Sequence, residues 1–139
     1  MKRILIVDDE PFVREALKRV LESGTVEVEV TDNAQTALDR VAAGATDLVI
    51  VDIIMPGMDG VQFIRALRAR QAGVRVIAIS GGGNFAVGGY RPDAISTQAY
   101  LAAATQAGAD AVLAKPFEIS ELEAVVLPMF ALPAALPLH

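Results

Sequence analysis

The chain has 139 residues, room for one domain, with 53% hydrophobic and 21% charged residues, a globular rather than a disordered composition. A net charge of −5 argues against a broad electrostatic grip on nucleic acid or anionic membrane. Without cysteine there are no disulfides, Cys-ligated zinc sites or thiol nucleophiles, and the only histidine, the terminal His139, supports no His-based scheme unless the tail folds back.

The first run, "RILIV" (3–7), is apolar and β-branched, as expected of a strand covered on both faces. It is too short for a signal peptide or membrane span and stops at acidic residues, so a cytoplasmic protein is expected. Three carboxylates follow, Asp8, Asp9 and Glu10, then Pro11. Phe12, Ala16, Leu17, Val20 and Leu21 recur at helical spacing and predict a first helix that Gly24 could end. "VEVEV" (26–30) alternates Val with Glu, the pattern of a strand at a sheet edge with one face near solvent. Ala34, Ala37, Leu38 and Val41 form the apolar stripe of a second helix before Gly44.

"DLVIV" (47–51) reads as a buried strand ending at Asp52, and Val61, Ile64 and Leu67 mark a third helix. "VRVIAI" (74–79) is the next strand and ends at Ser80. Residues 81–94 hold five of the eleven glycines and make a connection longer than the usual 2 to 6 residues. A flap over a pocket, a partner-docking element and a tolerated insertion are its readings. The match of "GGGNFA" to a dinucleotide fingerprint weighs little, since that pattern belongs in the first strand-to-helix turn. "ISTQAYLAAATQAG" (95–108) predicts a fourth helix, "AVLA" (111–114) a fifth strand before Lys115, and Ile119, Leu122 and Val126 a fifth helix cut short by Pro128. Residues 1–127 are then the domain and 128–139 a Pro-rich apolar tail.

Strict strand–helix alternation forces a parallel sheet with right-handed crossovers, an α/β doubly wound (βα)5 fold. In such sheets ligands bind beyond the carboxyl ends of the strands. The polar residues there are Asp8, Asp9, Asp52, Ser80 and Lys115. Singly each could be a cap, a turn residue or a solvated charge. Jointly, four strands would have to end in a suitable polar group by accident. Converging carboxylates repel and raise one another's pKa unless a cation lies among them, and oxygen ligands of this kind suit Mg²⁺. With a lysine and a hydroxyl alongside, the implied chemistry is phosphoryl transfer to an aspartate.

"VDDEP", "LVIVDIIMPGMDG", a serine ending the fourth strand and "AKPF" after the fifth together resemble the receiver domain of two-component response regulators over residues 2 to 127. The resemblance implies a flavodoxin-like, CheY-like three-layer sandwich with strand order 2-1-3-4-5. It makes Asp52 the phosphoacceptor, with Lys115 and Ser80 contacting the phosphoryl group. Asp8, Asp9, Asp52 and the carbonyl of Ile54 become the ligands of Mg²⁺. It also implies a cis Lys115–Pro116 bond and a turn at Pro56 and Gly57. Expected partners are a histidine kinase or phosphotransfer protein and an unknown downstream protein, with no direct nucleic acid or membrane contact and a homodimer left open. The chain is thus expected to be a single-domain phosphoacceptor switch rather than an enzyme. Val112 departs from the family, which commonly places Tyr or Phe there as a switch; a constitutive interaction module is the alternative reading. A phosphatase reading ranks last, because the sequence lacks the D-x-D arrangement. Ile54 and Gly82 flank the pocket, where they could steer water.

Overall fold

The computed structural model describes residues 1–55, 58–70, 73–80, 94–115 and 117–131, with residues 94–97 and 131 described by backbone alone. Five strands and five helices alternate: β1 (Lys2–Val7), α1 (Pro11–Leu21), β2 (Val26–Thr31), α2 (Ala34–Ala42), β3 (Leu48–Asp52), α3 (Gly60–Arg70), β4 (Arg75–Ser80), α4 (Ala94–Ala107), β5 (Ala111–Ala114) and α5 (Ile119–Ala131). The strands pair in parallel in the order β2-β1-β3-β4-β5. The alternating strand lies at an edge, as its Val/Glu pattern predicts, with Val28 buried and Glu27 and Glu29 exposed.

Period-two alternation divides the apolar strands between two cores. Leu5, Val7, Val49, Val51, Val76 and Ala78 face α2, α3 and α4 through Leu38, Val41, Phe63, Leu67 and Ala104. Ile4, Ile6, Leu48, Ile50, Ile77 and Ile79 face α1 and α5 through Leu17, Leu122 and Val126. This is why the central runs read as continuously hydrophobic.

Side-chain caps fix two of the helix starts. Asn33 Oδ1 accepts from Thr36 N at 2.9 Å, and Asp59 and Gln62 cap each other's backbone N–H at 2.9 and 3.0 Å. At the far end of the sheet Arg68 donates to the carbonyl oxygens of Gly108 and Val74 and to Asp110, tying α3 to the starts of β4 and β5. Gly108 there has φ +122°, the left-handed conformation that ends α4.

Two sequence expectations fail. Phe12 is 84% exposed and Ala16 is exposed too; the buried face of α1 is Leu17 with half-buried Val13, Val20 and Leu21. Both faces carry apolar residues four apart, and periodicity alone cannot tell which one meets the sheet. Nor does Pro128 end the last helix, which continues to Ala131. Proline forfeits one N–H, but the carbonyl it leaves belongs to exposed Ala124, while Met129 and Phe130 beyond it pack on the core. The long loop with Gly82, the Pro56–Gly57 turn, the Lys115–Pro116 bond and His139 lie outside the described residues. Among the described residues, no helix is long and apolar enough to cross a membrane.

Candidate phosphoacceptor site

The registry of the sheet assembles the site. Val7 pairs with Val51, so Asp8 and Asp52 leave adjacent strands side by side, and Asp52 pairs in turn with Ile79 and Ser80 with Ala114. The backbone holds this level: Ile53 N donates to Ile79 O at 2.9 Å and Lys115 N to Ser80 O at 2.7 Å. Asp8, Asp52 and Ser80 are 2%, 6% and 0% exposed, whereas Asp9 is open to solvent.

Carboxylate oxygens of Asp8, Asp9 and Asp52 all lie within 4.8 Å of one another. Into this cluster points the Lys115 ammonium, with Nζ 3.5 Å from Asp8 Oδ2, 3.6 Å from Asp52 Oδ2 and 3.7 Å from Glu10 Oε1. One cation thus faces three carboxylates, two of them buried. Two carboxylates are oriented by the backbone as well, Glu10 N donating to Asp8 Oδ1 at 2.9 Å and Ile54 N to Asp52 Oδ1 at 3.0 Å.

Burial pushes the Asp52 carboxyl up from its ordinary value to about 7; repulsion from Asp8 and Asp9 adds to the rise, while Lys115 and the Ile54 N–H oppose it. Asp8 is raised for the same first reason, with Asp9 and Glu10 repelling and the Glu10 N–H and Lys115 opposing. For Lys115 burial favours the neutral amine, but attraction to Asp52, Asp8 and Glu10 outweighs it and its pKa rises. A site whose buried acids are pushed toward their neutral forms is short of positive charge. Hard oxygen donors at this spacing fit a small divalent cation, and Asp8, Asp9 and Asp52 are the residues able to hold it. The Ser80 hydroxyl is fully buried with no hydrogen-bond partner among the described residues, so its bonding capacity is open to a group arriving in the pocket.

The structure therefore brings together Asp8, Asp9, Asp52 and Lys115, places Ser80 at the end of the neighbouring strand, and leaves Ile54 41% exposed beside Asp52. Val112 is half-buried against the α2–α3–α4 core. Sequence reading missed three contributors. Glu10 joins the Lys115 cluster, Arg14 Nη1 donates to the Asp8 carbonyl oxygen at 2.8 Å, and Gly60 allows α3 to start against the end of β3. A Cβ on Gly60 would fall 2.5 Å from Ile53 Cα and 2.6 Å from the Asp52 carbonyl oxygen.

A doubly wound sheet with this acidic, lysine-bearing rim defines a phosphoacceptor class of α/β domain. The family profile described as "Response regulator receiver domain" matches residues 4–90, and the chain belongs to that family. It is 40% identical over 131 residues to the response regulator Rre1 of Synechocystis sp., covering 92% of this chain and 51% of that protein. It is 34% identical over 120 residues to the response regulator MprA of Mycolicibacterium vanbaalenii, covering 86% of this chain and 46% of the relative. The chain thus spans about half the length of these curated relatives. Among solved structures, the CheY-like receiver domain protein of Methanospirillum hungatei superimposes with a TM-score of 0.76 at 26% identity, covering 94% of this chain and 95% of that one. The beryllofluoride-activated NtrC4 receiver domain dimer gives 0.77 at 25% identity, covering 94% and 98%.

Proposed function

We propose that this receiver domain accepts a phosphoryl group on Asp52 from a histidine kinase or phosphotransfer protein and signals the change through protein contacts. The observation that carries the reading is the convergence of Asp52, Asp8, Asp9 and Lys115 in one pocket, with a buried Ser80 hydroxyl on the adjoining strand that has no hydrogen-bond partner among the described residues. Family membership and the relatives named as response regulators support it.

The carboxylate of Asp52 forms the new phosphorus–oxygen bond as the bond to the donor's imidazole nitrogen breaks, and the electron pair stays on that nitrogen. Mg²⁺ held by Asp8, Asp9, Asp52 and the Ile54 carbonyl would supply the positive charge that lets an anionic phosphoryl group approach. Lys115, already 3.6 Å from Asp52, adds a second cation on the lysine side. Ser80 offers its hydroxyl to a phosphoryl oxygen. The Ile54 N–H holds one Asp52 oxygen at 3.0 Å and fixes the rotation of the carboxylate. Ile54, exposed beside Asp52, is placed to influence the access of water to the acyl phosphate.

Val112 motivates a second reading, a pocket that still fills while the usual aromatic response is missing. Both readings are separated by intact-mass spectrometry after incubation with acetyl phosphate and Mg²⁺, with Asp52→Asn alongside. One added phosphate, absent from the variant, is the expected result; full labelling of Asp52→Asn overturns the assignment. Labelling without any change in amide spectra around α4 favours the constitutive module.

A further inference from the structure

The turn that carries Asp8 and Asp9 from β1 into α1 is held unevenly. Asp8 is fixed at three atoms: its N–H donates to Thr31 O at 3.1 Å, its Oδ1 accepts from Glu10 N at 2.9 Å, and its carbonyl oxygen accepts from Arg14 Nη1 at 2.8 Å. Asp9 is exposed, and among the described residues its carboxylate has no hydrogen bond or ion pair. The direction of its side chain is therefore set through the backbone, by the Asp8–Asp9 peptide whose carbonyl Arg14 holds. Helix α1 opens at Glu10 without a side-chain cap, because the Glu10 carboxylate is turned to Lys115. Arg14, one turn into α1, reaches back over that start and ties it to the end of β1.

We propose that Arg14 is a positioning residue for the acidic pair: by holding the Asp8 carbonyl it fixes the Asp8–Asp9 peptide and presents both carboxylates together to a divalent cation. The inference rests on the reading of Asp8, Asp9 and Asp52 as the residues that hold Mg²⁺. A guanidinium-to-carbonyl bond is charge-assisted, and in a part-buried place it is strong enough to select one orientation of a peptide plane. Without it the plane is free to turn, and Asp9, tied by nothing else, turns with it. Charge alone predicts the opposite effect. A guanidinium beside an acidic cluster repels an incoming cation, so its removal would tighten cation binding if repulsion were its whole contribution. Holding the ligands and repelling the metal thus differ in sign. Arg14 also differs from Lys115, which lies among the carboxylates; Arg14 is bound to the backbone and makes no ion pair among the described residues.

Isothermal titration calorimetry of Mg²⁺ into the full chain tests the role, with Arg14→Met, Arg14→Lys and, as a control for charge lost from the same helix, Arg19→Met. Arg14→Met is expected to weaken Mg²⁺ binding about tenfold, a loss common when the group behind a metal ligand is removed. Arg14→Lys keeps the charge on a stem one atom shorter and lacks the planar fork, so it is expected to weaken binding about threefold or more. Arg19 is exposed, and Arg19→Met is expected to leave binding unchanged. In the metal-free amide spectrum the Asp9 resonance, from the peptide that Arg14 polarises, is expected to move in both Arg14 variants while those of Val51 and Ile79 stay in place. A general loss of stability does not produce that pattern. Binding by Arg14→Met as tight as the wild type or tighter overturns the positioning role and leaves the metal site standing. If Arg14→Met does not fold, Arg14→Lys decides, and wild-type affinity with an unmoved Asp9 resonance overturns the role. A wild type that binds no Mg²⁺ overturns the metal site and the proposal together.

Discussion

The Lys115 ammonium is 3.6 Å from Asp52 Oδ2, and it is held almost as closely by Asp8 and Glu10. Its removal leaves buried acids without a cation, and the consequence depends on their protonation. Asp52, pushed up to about 7, carries its proton at pH 5 and needs little compensation, and burial raises Asp8 in the same direction. At pH 8 Asp52 is largely charged. Lys115→Met is therefore expected to destabilise the metal-free protein more at pH 8 than at pH 5, by about 2 kcal/mol of difference. Urea titrations of both proteins at the two pH values measure it; an equal loss at both contradicts this account of the cluster.

Asp52 itself sets a pH dependence with a definite sign. Its folded-state pKa of about 7 stands above its ordinary value of 3.8, so the folded protein holds more protons than the unfolded chain between those limits. The stability this contributes is full below the ordinary value and disappears as pH rises through about 7, with an upper bound on the order of 4 kcal/mol. The metal-free wild type is expected to melt lower at pH 8 than at pH 6, and Asp52→Asn to melt higher than wild type at pH 8. Mg²⁺ held by the ionised carboxylates, as proposed, would oppose the loss, so its stabilising shift is expected to be larger at pH 8 than at pH 6 and smaller in Asp52→Asn. Thermal melts with and without the ion check all three statements.

Gly60 controls how closely α3 approaches the end of β3, where Asp52 lies. Its N–H donates to the Ile53 carbonyl at 2.8 Å, and an added Cβ would meet backbone atoms of Ile53 and Asp52 that no rotamer change can move. Gly60→Ala is expected to cost about 2 to 3 kcal/mol in stability. Because the helix must retreat from the end of β3, acetyl-phosphate labelling of Asp52 should slow as well. A variant with wild-type stability and labelling would show that the close approach is unimportant.

Most of this arrangement was legible because the strands are β-branched runs and each site residue directly follows one. A chain that buries a parallel sheet on both faces must write it as unbroken apolar stretches, and Asp8, Asp52, Ser80 and Lys115 fall at their ends. Glu10, Arg14 and Gly60 were harder. Their roles depend on how the first turns of α1 and α3 sit over the sheet, which no single-residue pattern encodes. Phe12 misled because its row is as apolar as the row that packs, and only the sheet chooses between them.

Pro128 misled for a different reason, and it yields the last prediction. An interior proline breaks a helix when the freed carbonyl is buried or nothing packs beyond it. Here Ala124 is exposed, and Met129 and Phe130 beyond the proline pack against the second core. Packing carries the helix through a position that its local chemistry disfavours by about 3 kcal/mol. Pro128→Ala restores the N–H to the Ala124 carbonyl and removes the ring clash, while releasing some restriction of the unfolded chain that is worth about 0.5 to 1 kcal/mol. A net gain of about 1 to 2 kcal/mol follows, read as a higher denaturation midpoint with no change in labelling of Asp52. Destabilisation by the same substitution would mean that the proline ring contributes contacts greater than the hydrogen bond it forfeits.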